Sequence, residues 1–489
     1  MEHKVIVYQN TKISYPTKVN IFRPSFQYPE YPFENDISKE QNNVYDMVRK
    51  SFHMSCMDKS HYGTNQWNPL GDIIKPGNKV VVKPNLVMDF NPSGDGTDCL
   101  YTHPSVVAAI VDYIFIALQG RGQIIIGDAP MQECNFIKLI KQSGYDELIN
   151  YYKEKTIGTK LLIELKDFRG YTSVIKKGVH HGNENIETSK GILVDLGKES
   201  EFFKYNEVKL KRLRINSYNP EILLKHHNVE KHEYLINEDV LNADVIINVP
   251  KPKMHRKAGV TIALKNLVGI NVRKEYLPHH CNGDANSGGD EYNQVNIFKH
   301  IKSCIQDKIN IEASNKNYKK AYFLVLMRKM VTTFICLSKD QSWDGSWYGN
   351  ETISKTIIDL NKILLYCDKR GEFHNSPQRK IFTIADMIIS GENEGPVEPT
   401  EKKAGLIAMG SSSVCFDEVI TTLMGININK IPTLKQARNS QGKFKLIEDE
   451  QAIIISNNVK WNNKYVKDLE KKDVLHFVPA AGWKGKIEL

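Results

Sequence analysis

The chain has 489 residues, of which 41% are hydrophobic and 25% charged. At roughly 100 to 200 residues per domain this predicts several structural units, and it excludes both a disordered chain and a polytopic membrane protein. Lys and Arg outnumber Asp and Glu by 66 to 57, a net +9, which is thin for a dedicated nucleic-acid binder but suits anionic small partners.

Short β-branched runs punctuate the first 275 residues: Lys79 to Lys83, Gln123 to Gly127 and Asp244 to Val249. Continuous apolar runs of this length are the mark of strands buried on both faces of a parallel sheet. Between the first two lies Pro104 to Leu118, a helix of crossover length with Thr102 as its expected N-cap. The predicted fold is therefore α/β, with mostly parallel sheets flanked by helices, an inserted small sheet and a helical segment. Residues 1–275 are expected to form an N-terminal α/β domain with the insertion at about 153–239. Residues 276–350 would then form a loop and helical segment, and residues 351–489 a C-terminal α/β portion.

Within the middle segment, helices are predicted at Gln294 to Ile311 and Ala321 to Leu337, and a third at Thr352 to Tyr366. The second is strongly apolar, but Arg328 and Lys329 interrupt it, so it reads as a buried helix, with an interfacial one as the alternative. Further on come a strand at Ile381 to Ile389, a Gly-rich loop at Gly391 to Pro396 and a helix from about Val414 to Met424. The N-terminus has only a four-residue apolar run, too short for a signal-peptide core. No two of the eight cysteines are closer than 23 residues, so no cysteine-held iron-sulfur cluster is expected and the thiols read as free in a reducing cytoplasm.

The densest chemistry follows the Asp244 strand. Lys251, Lys253, His255, Arg256, Lys257, Lys265 and Asn266 crowd its carboxyl end, where ligands sit in open α/β sheets. His255 is a candidate acid/base, and the lysines suit an anionic substrate. Two other strand ends converge on the same place, with Lys83-Pro84-Asn85 and Gly127-Asp128-Ala129-Pro130. Asp128 is suited to orienting His255 or holding a metal, and His103, just before a helix, to binding an anion. Glu392, Glu394 and Glu398, with Asp386 before them and Asp417 after, form an acidic set suited to a divalent cation, although a plain acidic turn has the same composition. Trp343 to Asn350 joins aromatics to polar residues, which fits a core-covering loop or sugar stacking. Gly288 to Tyr292 matches four letters of the GGDEF signature outside its usual hairpin setting and reads as chance.

Taken together, VVVKPNLV at 80–87, THPSVVAAIVDYI at 102–114, IIIGDAPMQECNF at 124–136 and ADVIINVPKPKMHRKAGVTIALKNLVGI at 243–270 resemble the domain-of-unknown-function 362 family. The segments at 344–366 and 384–420 and the Gly-Gly-Asp-Glu run at 288 extend the match. The resemblance is to the long form, which lacks the ferredoxin-type cluster of some relatives. A more distant likeness is to the nickel-pincer lactate racemase family, in which a His is followed four residues on by Gly and ten residues on by a cofactor-tethering Lys. His255, Gly259 and Lys265 share those offsets, which would make His255 an acid/base or metal-facing group and Lys265 the tether for a nickel cofactor.

These readings lead to an enzyme of racemase or epimerase type acting on a hydroxy acid or sugar acid, with Lys83, Asn85, His103, Lys251, Lys253 and Asn266 as binding residues and His255, Lys265 and Asp128 as catalytic ones. The resemblance implies a setting in surface-polysaccharide metabolism. One alternative is a metal-dependent transferase or ligase for phosphate compounds, with Asp128, Glu392 and Glu394 holding the metal. Another is a non-enzymatic scaffold or membrane-surface protein working through the basic segment and the apolar helix.

Overall fold

A run of five buried residues in one strand needs cover on both faces, and the computed structural model supplies it. It describes residues 2–16, 22–184, 190–335, 342–448 and 450–489. Across the central eleven-stranded sheet the main strands run Lys464–Tyr465, Gln451–Ser456, Glu2–Gln9, Glu398–Gly410, Lys380–Glu394, Val245–Val249, Lys79–Pro84, Arg121–Asp128 and Lys160–Asp167. From Lys380 to the last of these every pairing is parallel. Antiparallel pairs appear on the other side, where Lys380–Glu394 meets Glu398–Gly410. The fold is α/β, with a large, mostly parallel sheet flanked by helices and small extra sheets.

Alternation along the central strands divides the apolar residues between two cores. Val81, Ile125 and Ile246 enter one with the helices Thr352–Tyr366 and Ser413–Leu423. Val80, Val82, Ile124, Ile126, Val245 and Ile247 enter the other with the helices Asn43–Met54 and Pro104–Leu118. At about 25 cal/mol per Å² of buried apolar surface, this two-sided burial is the main force holding the sheet.

Some local expectations change. The crossover helix is capped by His103, whose Nδ1 accepts from the Ser105 N–H at 3.2 Å. Thr102, the expected cap, instead donates its hydroxyl to Val249 O at 2.8 Å and so ties two strand ends together. The expected loop at Gly391 to Pro396 is mostly strand, because Glu394 pairs with Glu398 across a tight hairpin. Lys160–Asp167 pairs with the central sheet, whereas Tyr171–Lys176 with Val179–Glu184, and Gly191–Asp195 with Glu233–Asn237, form separate two-stranded sheets. Residues 1–275 and 351–489 both supply strands to the one central sheet.

The apolar middle helix spans Tyr318–Ile335 and lies against Ile297–Ser314. It is not buried all round. Ala321, Leu324 and Val325 face inward onto Val179, Ile305 and Ile309, and the opposite side is exposed. Cys336 and Leu337, the end of the predicted helix, lie outside the described residues. No helix among the described residues is long and apolar enough to cross a membrane, and the described cysteines are free thiols.

Candidate functional site

Parallel pairing sets the carboxyl ends of three strands side by side, with Asn248 opposite Lys83 and Val249 opposite Pro84. Pro250 and Pro252 interrupt regular pairing, and the chain then folds into a small hairpin, Lys253–His255 against Gly259–Thr261. Gly259 has φ +79°, and a Cβ there would lie 2.9 Å from Ile431 and 3.0 Å from Trp483, so only glycine fits the turn. The short helix Ala263–Asn266 follows. Its first N–H groups, on Ala263 and Leu264, are taken by the Asp417 carboxylate at 2.8 and 3.1 Å. Asn266 donates to Lys83 O at 3.1 Å and to Asn248 Oδ1 at 2.8 Å, and Asn248 donates to Ala263 O at 3.0 Å. Lys265 is thereby held over the strand ends by bonds on both sides of it.

Beneath it is a cavity of about 70 Å³ lined by Asn85, Asp128, Thr261, Lys265 and Lys274, with Pro396 from the long hairpin. That is room for a carboxylate-sized group, given that a water claims about 30 Å³ in the liquid. Asp128 is fully engaged: Lys83 Nζ lies 2.7 Å from Oδ1, and the N–H groups of Ala129 and Leu86 donate to Oδ1 and Oδ2, each at 2.7 Å. A Cβ at Gly269 would collide with this carboxylate, so glycine is required there too. Lys265 and Lys274 differ from Lys83. Among the described residues neither ammonium has a hydrogen-bond acceptor or an acid partner. Burial lowers Lys265 to about 7, with the charges of Lys274 and Lys83 adding to it, and lowers Lys274 to about 8 against the opposing pull of Asp128. The Thr261 hydroxyl is also buried without a partner. Two buried amines without acceptors among the described residues and an unused hydroxyl at one small cavity are a donor set suited to an anion.

A second set of buried charges stands outside the cavity lining and meets it at Asn85. Lys251 Nζ lies 2.9 Å from Asp386 and 2.6 Å from the Tyr15 hydroxyl, which itself donates to Asp386 at 2.6 Å. The His103 N–H also donates to Asp386, at 2.9 Å, and its ring stacks on Tyr15 at 4.0 Å. Burial lowers His103 to about 3, so the ring is neutral and serves as the helix cap. Lys253 donates to Asn85 Oδ1 at 2.8 Å and to Leu100 O, and burial without a carboxylate partner lowers it to about 7.

His255 is buried, and its Nδ1 accepts the N–H groups of Lys257 and Ala258 at 3.0 and 3.1 Å. A backbone N–H can only donate, so the neutral ring carries its proton on Nε2. Burial, with Lys265 and Arg256 close by, holds the imidazole well below its ordinary value. The ring therefore offers a hydrogen-bond donor at Nε2. A lysine-tethered nickel cofactor would require a lone pair there, so His255 does not fit as its ligand, whereas the unpaired Lys265 amine is compatible with a tether.

Glu392 and Glu394 sit on the long hairpin, but their carboxylates accept the N–H groups of Val478 and Ala481 at 2.9 and 2.7 Å and clamp the C-terminal segment. Among the described residues no group of three or more His, Cys, Asp and Glu side chains is placed to hold a metal ion. The structure thus brings Asn85, Asp128, Lys265 and Asn266 together in the cavity lining, joins Lys83 to it through Asp128 and Lys253 through Asn85, leaves His255, Lys251 and His103 outside that lining, and turns Glu392 and Glu394 to the C-terminal segment. Lys274, Thr261 and Tyr15 were not legible as site residues: Thr261 lies within the 243–270 segment but is outshone there by its charged neighbours, while Lys274 and Tyr15 stand in unremarkable stretches and are brought in only by tertiary packing. Asp290 of the Gly-Gly-Asp-Glu run has a structural task, accepting the Thr352 N–H and hydroxyl at 2.9 and 2.6 Å at the start of a helix.

Among known proteins, a thylakoid-associated protein of Synechocystis sp. is 23% identical over 223 residues, 45% of this chain and 48% of that protein. The chain thus spans about half the length of that relative. The lactate racemase apoprotein of Thermoanaerobacterium thermosaccharolyticum aligns over 90% of this chain and 85% of its own at 10% identity and a TM-score of 0.28, a score at which the likeness carries no argument. The family model for the domain of unknown function 362 matches residues 80–167 and 182–422, a span that includes all the cavity-lining residues named above. With most of its length matched, the chain belongs to the domain-of-unknown-function 362 family.

Proposed function

We propose that the protein is an enzyme that moves a proton on a small anionic substrate, a hydroxy acid or sugar acid, in the manner of a racemase or epimerase. The observation that carries this reading is the pair of lysines lining one cavity without a hydrogen-bond acceptor among the described residues, both lowered by burial. A lysine lowered to about 7 is largely a free amine just above neutrality, which makes it a base, whereas one at about 8 still carries its charge. In this account Lys274 and the Thr261 hydroxyl hold the substrate carboxylate. Lys265 Nζ takes the proton from the adjacent carbon and becomes an ammonium, and the carbanion charge spreads onto the carboxylate. In the same account the Nε2–H of His255, whose imidazole feels the charge of Lys265, is a donor for negative charge developing there. A setting in surface-polysaccharide metabolism belongs to the same proposal through the family resemblance, and a cytoplasmic one through the widely spaced cysteines.

The test is solvent exchange. The full-length protein is incubated in D2O with lactate, glycerate, glucuronate and galacturonate, and the C–H next to each carboxylate is followed by proton NMR. The expected result is exchange on at least one acid that falls about 10²–10⁴-fold in Lys265→Met, the range typical of a lost general base. Exchange unchanged by that substitution would overturn the reading. So would the absence of exchange with every acid together with thermal stabilisation by magnesium nucleotides alone, an outcome that favours the phosphate-transfer alternative.

A further inference from the structure

The helical hairpin Ile297–Ser314 and Tyr318–Ile335 uses one side to pack on the Val179–Glu184 strand. Its other side is unusual for a surface. Phe323, Leu326, Met330 and Phe334 are 62%, 59%, 61% and 55% exposed. Their spacing of three, four and four residues places them on one stripe along the helix. The facing helix adds exposed Ile297, Phe298 and Ile301, and Phe298 stacks on Phe334 at 5.2 Å, which joins the two rows into one patch. Contiguous exposed apolar surface of this kind marks an interaction site.

Charge identifies the partner. From Gln294 to Ile335 the only acids are Asp307 and Glu312. Asp307 is paired with Arg214 at 3.0 Å and Glu312 with Lys320. The exposed charges left on the hairpin are cations: Lys308, Lys316, Lys319 and Lys329. An apolar stripe on a hairpin whose exposed charges outside ion pairs are, among the described residues, all cations complements a surface that is anionic outside and apolar beneath. We infer that this hairpin docks the protein on anionic lipid bilayers, with Phe323, Leu326, Met330 and Phe334 entering the headgroup boundary and the lysines facing lipid phosphates. Arg328 and Lys329 argue against a spanning helix but suit one lying in the interface plane. The inference does not depend on the chemistry proposed for Lys265.

Full-length protein is sedimented with vesicles of phosphatidylcholine alone and of phosphatidylcholine with phosphatidylserine, and its self-association is followed by sedimentation velocity. The expected result is pelleting with the serine-containing vesicles only, weakened by salt. Partitioning should fall at least about tenfold in Phe323→Ser/Leu326→Ser/Met330→Ser, since each replacement removes buried apolar area. These positions are exposed, so an unchanged circular dichroism spectrum and thermal midpoint accompany the loss. Lys319→Glu/Lys329→Glu, which leaves the apolar stripe intact, should weaken binding to the anionic vesicles as well. Protein that stays in the supernatant with both vesicle types would overturn the inference, as would pelleting unaffected by either variant. A dimer that dissociates in the serine variant without any vesicle binding would instead assign the patch to a second copy of the chain and equally overturn it.

Discussion

Lys265 and Lys274 share one cavity, and the proposed proton transfer requires them in opposite protonation states. Burial favours the neutral form of both, most strongly for Lys265 at about 7 and less for Lys274 at about 8. The base works only above its value, and the carboxylate holder only below its own. The exchange rate is therefore expected to be bell-shaped in pH, rising through about 7 and falling through about 8, and the two limbs belong to the interacting pair as a whole. In Lys274→Met the alkaline fall should disappear while the apparent affinity for the acid weakens, because no charge remains to be lost there. Initial rates at saturating and low substrate between pH 6 and 9 check this, and an alkaline limb that survives the substitution would remove Lys274 from the role.

At the scale of elements, the placement of Lys265 depends on a helix of only four residues, Ala263–Asn266, which is too short to hold its shape alone. Its N-terminal N–H groups are satisfied by Asp417 from the helix Ser413–Leu423. Asp417→Ala should cost about 1–2 kcal/mol in urea unfolding, as other lost caps do. It should also reduce solvent exchange at the cavity, whereas a cap removed elsewhere, as in Asn135→Ala, should leave exchange unchanged. The elements themselves were largely legible: β-branched runs buried on two faces marked the parallel strands, and Thr352–Tyr366 falls where its periodicity put it. Partnerships between elements were not. Nothing in the sequence near residue 417 announces a cap for residue 263, and the apolar run from residue 321 does not reveal that only one side of its helix is covered. Glu392 and Glu394 looked like a metal set because clustered acids are ambiguous until their acceptors are known, and here they meet backbone N–H groups.

For the whole molecule, the central sheet does the assembling. The ends of Lys79–Pro84, Arg121–Asp128 and Val245–Val249 adjoin, and the hairpin of Lys380–Glu394 and Glu398–Gly410 brings Pro396 to the same cavity, so segments more than 300 residues apart build one site. Strand order, unlike strand identity, is fixed by long-range pairing, which is why three of the converging strand ends were foreseen and the contribution of the last hairpin was not. The assembly leaves Lys265 a partly exposed, unusually acidic ammonium, which in the proposed function an anion covers. Competitive acetylation of the full-length protein at pH 7, read lysine by lysine by mass spectrometry, tests this most directly. Lys265 should react well ahead of exposed lysines such as Lys198, and excess carboxylate should suppress its labelling while leaving theirs unchanged. Labelling of Lys265 at the ordinary surface rate, indifferent to carboxylate, would contradict the account.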